Sequence, residues 1–255
     1  MSNNFQPRVG IVIIGDEILK GVVEEANAAF FIKQLKALGS DLREIVFIPD
    51  DVEVIADRVR EFSERYDLVC TTGGIGPTHD DVTLSGVARA FDVDIQVQDE
   101  LVEQIRQLVG KDFNEGHRRL ARLPDGAELV SAPGLNWPVL KVRNVYVFPG
   151  VPRLLHRKFL AIRSAFQGKH YFSSALTIRS RETEICNELD DIVAQHPNVT
   201  IGSYPRMEDG AWVSRLTVDG FDQNEVERAR DTLAQAFDTF LLSTEPLRRS
   251  DADAL

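Results

Sequence analysis

Short, wholly apolar runs alternate along the chain with longer stretches in which apolar residues recur every three or four positions. Residues 9–14 read VGIVII, apolar on both faces of an extended chain and rich in β-branched side chains, which suits a central strand of a parallel sheet. Residues 27–38 carry Ala28, Phe31, Ile32, Leu35 and Leu38 at helical spacing, and Gly39 stands where a C-terminal cap glycine would. The rhythm then repeats: 45–48 predicts a strand stopped by Pro49-Asp50, 52–62 a helix, 68–72 a strand, and 82–91 and 100–109 two more helices. After a polar, irregular stretch with Asn114, Gly116, Pro124 and Gly126, residues 139–142 and 145–148 predict a hairpin around Arg143-Asn144. A helix over 154–166 follows. Alternation of this kind predicts a doubly wound α/β sheet ending near Gly168.

Beyond that point the pattern changes. Residues 174–179 predict a strand, 182–194 an acidic helix, 200–204 and 212–218 two strands, and 225–237 a helix. This order predicts a small α+β layer with two helices on one face of an antiparallel sheet. The expected domains are therefore 1–168 and 169–245, with 246–255 a disordered tail.

Composition removes whole classes of function. A net charge of −11 over 255 residues repels a phosphate backbone, so nucleic acid is not an expected partner. No run approaches 18 consecutive apolar residues, so no membrane span is expected. The opening residues lack the charged-then-apolar layout of a signal peptide, which makes cytoplasm the expected compartment. Cys70 and Cys186 are too far apart for metal-ligand spacing, and each reads as a small buried hydrophobe.

Candidate chemistry concentrates in TTGGIGPTHDD, residues 71–81, between a strand and a helix. Gly73, Gly74 and Gly76 let backbone amides approach an anion closely, and a helix start aims unpaired N–H groups the same way. Thr72, Ile75, Pro77, Thr78 and His79 complete the expected ligand loop. Asp80 and Asp81 would repel a phosphate unless a cation lay between them; an oxygen-rich site suits Mg²⁺, Mn²⁺ or Co²⁺. Alternatively one Asp caps the helix and the other is solvated.

A second loop, GDEILKG at 15–21, ends the first strand and should face the same crevice. Gly15, Asp16 and Gly21 would line it, Glu17 would offer a carboxylate and Lys20 a charge for a phosphate, with Asn27 at the next helix start. Glu17 and Lys20 could equally be a solvated surface pair. Asp50 should reach the same edge, or else cap the helix that follows it. Gly150 and Pro152, in the run PGVP, form either a rigid turn beside the site or a linker. No nucleophile elbow, zinc-protease or Walker signature occurs.

Together GDEILKG, TGGIGPTHDDVT and FPGVP resemble the molybdopterin-binding domain family, its CinA-type branch and the N-terminal molybdopterin-binding-like domain of eukaryotic FAD synthases in particular. VRNVYVFPGVP and GSYP extend the likeness over nearly the whole chain. The resemblance implies a three-layer α/β/α domain with a mostly parallel sheet of the MoaB/MogA type, followed by a small α+β domain, KH-like or ferredoxin-like. It implies activity tied to Asp81 and Asp50, and a dimer or trimer. Ile75 and the His79-Asp80-Asp81 run follow the pyrophosphatase branch, which cleaves FAD or ADP-ribose with a divalent metal, often Co²⁺, helped by K⁺. On that reading Asp80 and Asp81 hold the metal, Glu17 serves as base or water-orienting group, and Lys20 offsets phosphate charge. The chain stops before a CinA deamidase or FAD-synthase adenylyltransferase domain would fit, so neither of those activities is expected.

The alternative is a molybdopterin-binding protein or adenylyltransferase using the same crevice, so the expected ligand is a nucleotide or pterin. A third reading, an RNA- or partner-binding second domain, meets six Lys or Arg against fourteen Asp or Glu over 170–245, the wrong sign for RNA.

Overall fold

The computed structural model describes residues 5–250. They divide into two compact units, 5–36 with 40–168 and 37–39 with 169–250.

The first unit is built on β1 (Arg8–Ile14), β2 (Asp41–Ile48), β3 (Leu68–Thr72), β4 (Ile95–Val97), β5 (Arg122–Pro124), β6 (Glu128–Val130), β7 (Val139–Val142) and β8 (Val145–Phe148). Its helices are α1 (Asp16–Leu19), α2 (Asn27–Leu38), α3 (Val52–Arg65), α4 (Thr83–Phe91), α5 (Asp99–Val109), α6 (Glu115–Arg119) and α7 (Pro152–Ile162). Six strands form one sheet in the order β2-β1-β3-β8-β7-β6, with β2, β1, β3 and β8 parallel and β7 and β6 antiparallel at one edge. This is the MoaB/MogA-like α/β fold: a mixed, mostly parallel sheet.

The expected central strand is β1. Val9, Ile11, Val12, Ile13 and Ile14 are each at most 1% exposed, so layers cover both faces. Burying each such side chain stabilises by roughly 1.5–3 kcal/mol. On one side Ile55, Val59 and Phe62 of α3 meet Val87 and Phe91 of α4 and Leu101 and Ile105 of α5. On the other, an aromatic cluster joins Phe31 of α2 to Phe148 of β8 and Phe159 of α7, with ring centroids 5.4–6.1 Å apart. Gly10 in mid-strand is required, since a Cβ there would lie 2.4 Å from the Tyr66 ring. The hairpin between β7 and β8 turns through Arg143 at φ 54, and Asn144 Nδ2 fastens it to the Ser63 and Tyr66 carbonyls.

The polar stretch read as irregular contains more order than its pattern indicated. β4 and β5 form a two-stranded antiparallel ribbon, α6 lies between them in sequence, and β6 pairs with β7.

The second unit comprises β9 (Phe172–Ile178), α8 (Glu182–Gln195), β10 (Val199–Glu208), β11 (Ala211–Gly220), α9 (Gln223–Ala236) and β12 (Leu241–Arg249). Its sheet is antiparallel, in the order β10-β11-β9-β12. That is the β-α-β-β-α-β order of ferredoxin-like folds. Leu176, Ile178, Leu216 and Val218 face Ile185 and Ile192 of α8 and Val226 and Leu233 of α9. The expectation of a disordered tail from 246 is corrected here: residues 241–249 pair with β9 and complete the sheet, while 251–255 lie outside the described residues. Cys186 is also corrected, being exposed on α8, whereas Cys70 is buried in β3. Pro205 in β10 and Pro246 in β12 sit on the two edge strands, where a missing N–H discourages pairing with a further strand.

Candidate active site at the carboxyl edge of the sheet

The chain runs from β1 to β2 on one side and returns from β2 past β1 to β3 on the other, so the strand order reverses between β1 and β3. Ligands of open α/β sheets settle beyond the carboxyl ends of the strands at such a point. The residues expected at the site gather there mainly in four loops: 15–26 after β1, 49–51 after β2, 73–82 after β3 and 149–151 after β8.

Glycines permit the loops to touch. Gly73 has φ 102, and a Cβ on it would lie 2.0 Å from the Ile14 carbonyl oxygen. Gly74 has φ 61, and its missing Cβ would meet Thr83 Oγ1 at 2.5 Å and Asp50 Oδ1 at 3.0 Å. A Cβ on Gly150 would come within 3.3 Å of Gly73 Cα. Threonines and an asparagine then stitch the loops together. Thr83 Oγ1 donates to Gly73 O at 2.8 Å, Thr72 Oγ1 to Pro149 O at 3.1 Å, and Asn27 Nδ2 to Gly150 O at 2.8 Å. Asn27 is buried, and its Oδ1 has no hydrogen-bond donor among the described residues. Pro152 begins α7, where its absent N–H costs nothing.

Asp50 is not a helix cap. Asp51 takes that role, accepting from the Glu53 and Val54 amides at 2.9 and 3.0 Å. Asp50 is thereby left for the site, where its Oδ2 accepts the Asp16 amide at 2.8 Å. Burial raises its pKa, and repulsion from Glu17, Asp16 and Asp80 adds to the rise against the Asp16 hydrogen bond. Lys20 pairs with Asp16 at 2.6 Å, not with Glu17, and this bond holds the Asp16 carboxyl below its ordinary pKa. Glu17 lies over Gly15, one carboxylate oxygen occupying the space a Cβ would take. Gly21, at φ 67 with open space around it, serves the chain's turn out of α1.

Asp81 turns inward on its own loop. Its Oδ1 accepts the Gly76 amide at 2.6 Å, and its Oδ2 accepts the Thr78 amide at 2.8 Å and the Thr78 hydroxyl. Asp80 stands beside the exposed His79 at 3.9 Å, its pKa lowered first by the Thr78 side chain. The loop amides of Gly76 and Thr78 thus go to Asp81 alone, while the Thr78 side chain serves both acids. Their oxygens suit a hard cation in chemistry, but among the described residues no three His, Cys, Asp or Glu side chains converge to hold one. The amides of the loop divide in the same way: Gly73 donates to Phe148 O, and Gly76 and Thr78 to Asp81. Gly74, which abuts Asp50, and Ile75 keep their N–H groups unpaired among the described residues.

Sequence reading missed what flanks the loop. A cavity of about 410 Å³ lies behind it, between α4, the β4–β5 ribbon and α6. Arg119 and Arg122 line it along with Glu115, and Arg119 Nη1 reaches Pro77 O at 3.4 Å. The basic run His117-Arg118-Arg119 was the available signal, three residues before Arg122. A larger hollow, about 700 Å³, opens at the opposite edge of the sheet. Its three arginines are already paired, Arg8 with Asp67, Arg65 with Glu44 and Arg43 with Asp41.

Comparison with known proteins bears on the family and the fold. Residues 10–164 match the family described as probable molybdopterin binding domain, and 170–245 match the FAD synthase middle domain. A protein of Archaeoglobus fulgidus is 37% identical over 77% of this chain and 85% of its own. A probable FAD synthase of Caenorhabditis elegans is 30% identical over 88% of this chain; the match spans only 49% of that relative. Among solved structures, CinA of Thermoplasma acidophilum superposes with a TM-score of 0.57 at 28% identity, covering 63% of this chain and 98% of that one. The chain belongs to the molybdopterin-binding domain family, related to CinA and to FAD synthase.

Proposed function

We propose that this protein is a nucleotide pyrophosphatase that hydrolyses a dinucleotide diphosphate of the FAD or ADP-ribose kind. The reading is carried by two successive amides, Gly74 and Ile75, unpaired among the described residues, with Gly74 abutting the partly desolvated carboxylate of Asp50. The amides bind a phosphoryl oxygen and stabilise charge as it builds in the transition state. Asp50, with its raised pKa, takes the proton of the attacking water, and Glu17 orients that water from the Gly15 side. Lys20 offsets negative charge at the mouth of the crevice. Asp81 holds the loop in shape from within. Hydrolysis is expected to depend on Mg²⁺, Mn²⁺ or Co²⁺, helped by K⁺. The protein is expected to act as a homo-oligomer.

The match to the molybdopterin binding domain family supports a second reading, a molybdopterin-binding protein or adenylyltransferase using the same crevice. Incubating the full chain with FAD and with ADP-ribose, each metal in turn, separates the two. Release of AMP supports the first reading; tight pterin binding without cleavage supports the second.

A further inference from the structure

The sheet of the second unit carries an arm. β9 stops at Ile178, opposite Ser214, yet β10 and β11 stay paired as far as Glu208 and Ala211. Three residue pairs therefore run on past β9 as about 10 Å of two-stranded ribbon. A two-residue turn closes it, with Asp209 at φ 48 and Gly210 at φ 77, the backbone of a tight hairpin. Met207 and Trp212 stand directly opposite each other on the ribbon and remain 61% and 39% exposed. At the same end of the sheet Phe240 and Leu242 are exposed on either side of Leu241, which pairs with Ile178. The chain leaving β9 runs between these groups: the Arg179 amide donates to Phe240 O at 2.8 Å, and Ser180 O accepts Ser214 Oγ at 3.0 Å. Arg179 and Arg181 are exposed there and form no ion pair among the described residues; Glu184 is taken by the Ser180 hydroxyl and the Arg181 amide. With Arg206 of the ribbon, this end holds three of the six basic residues that 170–245 sets against fourteen acids. Tryptophan, methionine and arginine are the residues that protein interfaces favour.

The helical layer of the same unit has the complementary shape. A hollow of about 400 Å³ between α8 and α9 is lined by the apolar Ile192 and Ala236 and by Glu188 and Asp191. Both acids are exposed and form no ion pair among the described residues. We propose that the arm of one copy of this chain docks in the α8–α9 hollow of a second copy. Trp212 enters against Ile192 and Ala236, while Arg179 and Arg181 meet Glu188 and Asp191. The β-ladder keeps the arm in line with its own sheet, and the hollow lies on the helical layer, so the occupant is another chain. Made reciprocally, the contact closes on a two-fold axis as a dimer. The inference rests on the second unit alone and is independent of any reading of the crevice.

The test is sedimentation equilibrium of the full chain in three forms: unmodified, with Arg179→Glu and Arg181→Glu together, and with Glu188→Arg and Asp191→Arg together. All four side chains are exposed, so the melting curves of the dilute proteins should coincide. The expected result is a dimer of the unmodified chain that weakens with added salt, its Kd raised roughly 10- to 100-fold by either pair of reversals. Mixing the two variants should restore the dimer, because each arm then meets a hollow of opposite charge. Trp212→Ala should weaken it by about 10-fold or more, the loss of an aromatic anchor. In Trp137→Phe protein, where Trp212 is the remaining tryptophan, emission should shift to the red on dilution as the side chain leaves the hollow. A monomer at about 100 µM, a mass that neither pair of reversals changes, or a mixture of the two variants that stays monomeric would overturn the interface.

Discussion

Asp50 and Asp51 are neighbours in sequence with opposite assignments: Asp51 caps α3 through two backbone amides, while Asp50 turns away to accept the Asp16 amide at the site. The division matters because a capping carboxylate stabilises the fold, whereas a desolvated carboxylate among Glu17, Asp16 and Asp80 works against it.

Asp50→Asn should therefore lower hydrolysis by about 100-fold or more while leaving the melting temperature equal or higher. The folded pKa of Asp50 lies above the unfolded one, so its charge penalty is absent at low pH and sets in as pH rises through the folded pKa. Wild-type stability should fall across that window relative to Asp50→Asn, and the acid limb of the rate profile should lie above the ordinary Asp range. Asp51→Ala should do the reverse, costing roughly 1 kcal/mol with little change in rate. Paired thermal melts and rate profiles check both variants.

Asp81→Ala removes the acceptor for two amides and a hydroxyl that shape the loop. The loop is open to solvent, so the stability loss should be about 1–2 kcal/mol. Turnover should nevertheless disappear, because Gly74 and Ile75 lose their placement; single-turnover assays and urea melts together check this. Activity persisting within a few-fold would mean that the loop does not depend on Asp81.

How far the sequence reached can be seen at individual positions. β1 was legible because both of its faces are buried, which leaves an unbroken apolar run. The glycine loop was legible because three glycines in four residues exceed what a turn requires. β12 was not, since its side chains are mostly exposed, it contains Pro246, and its pairing with β9 is broken twice by irregular register. β4, β5 and β6 are three residues each, too short for a period to show. Asp50 and Asp51 could not be told apart, nor Asp16 from Glu17 as the partner of Lys20, because backbone direction decides each. Arg119 and Arg122 went unnoticed because their cavity is assembled from segments some 40 residues from the glycine loop.

Glycine demands differ by position. Gly73→Ala drives a Cβ into the Ile14 carbonyl at a positive φ, so the loops of β1 and β3 must separate. It should destabilise by about 3 kcal/mol or more and abolish turnover. Gly21→Ala meets open space and should cost only about 1 kcal/mol for its positive φ. Urea melts of the two variants give the comparison directly.

Lys158 of α7 donates to the Trp137 carbonyl at 2.9 Å and to Pro138 O, and burial lowers its pKa to about 8. Between about 8 and 10.5 the unfolded chain holds the proton that the folded chain has released, so this group's contribution to stability rises with pH there. Lys158→Met should flatten that part of the profile, as measured by urea melts at pH values either side of the lower limit.

The most direct measurement is chromatographic analysis of FAD and ADP-ribose after incubation with the pure full chain and Mg²⁺, Mn²⁺ or Co²⁺ in turn, with K⁺ present. AMP together with FMN or ribose phosphate, lost in Asp50→Asn, is the predicted result. Intact substrates with all three metals would contradict the pyrophosphatase and leave pterin binding as the function of the crevice.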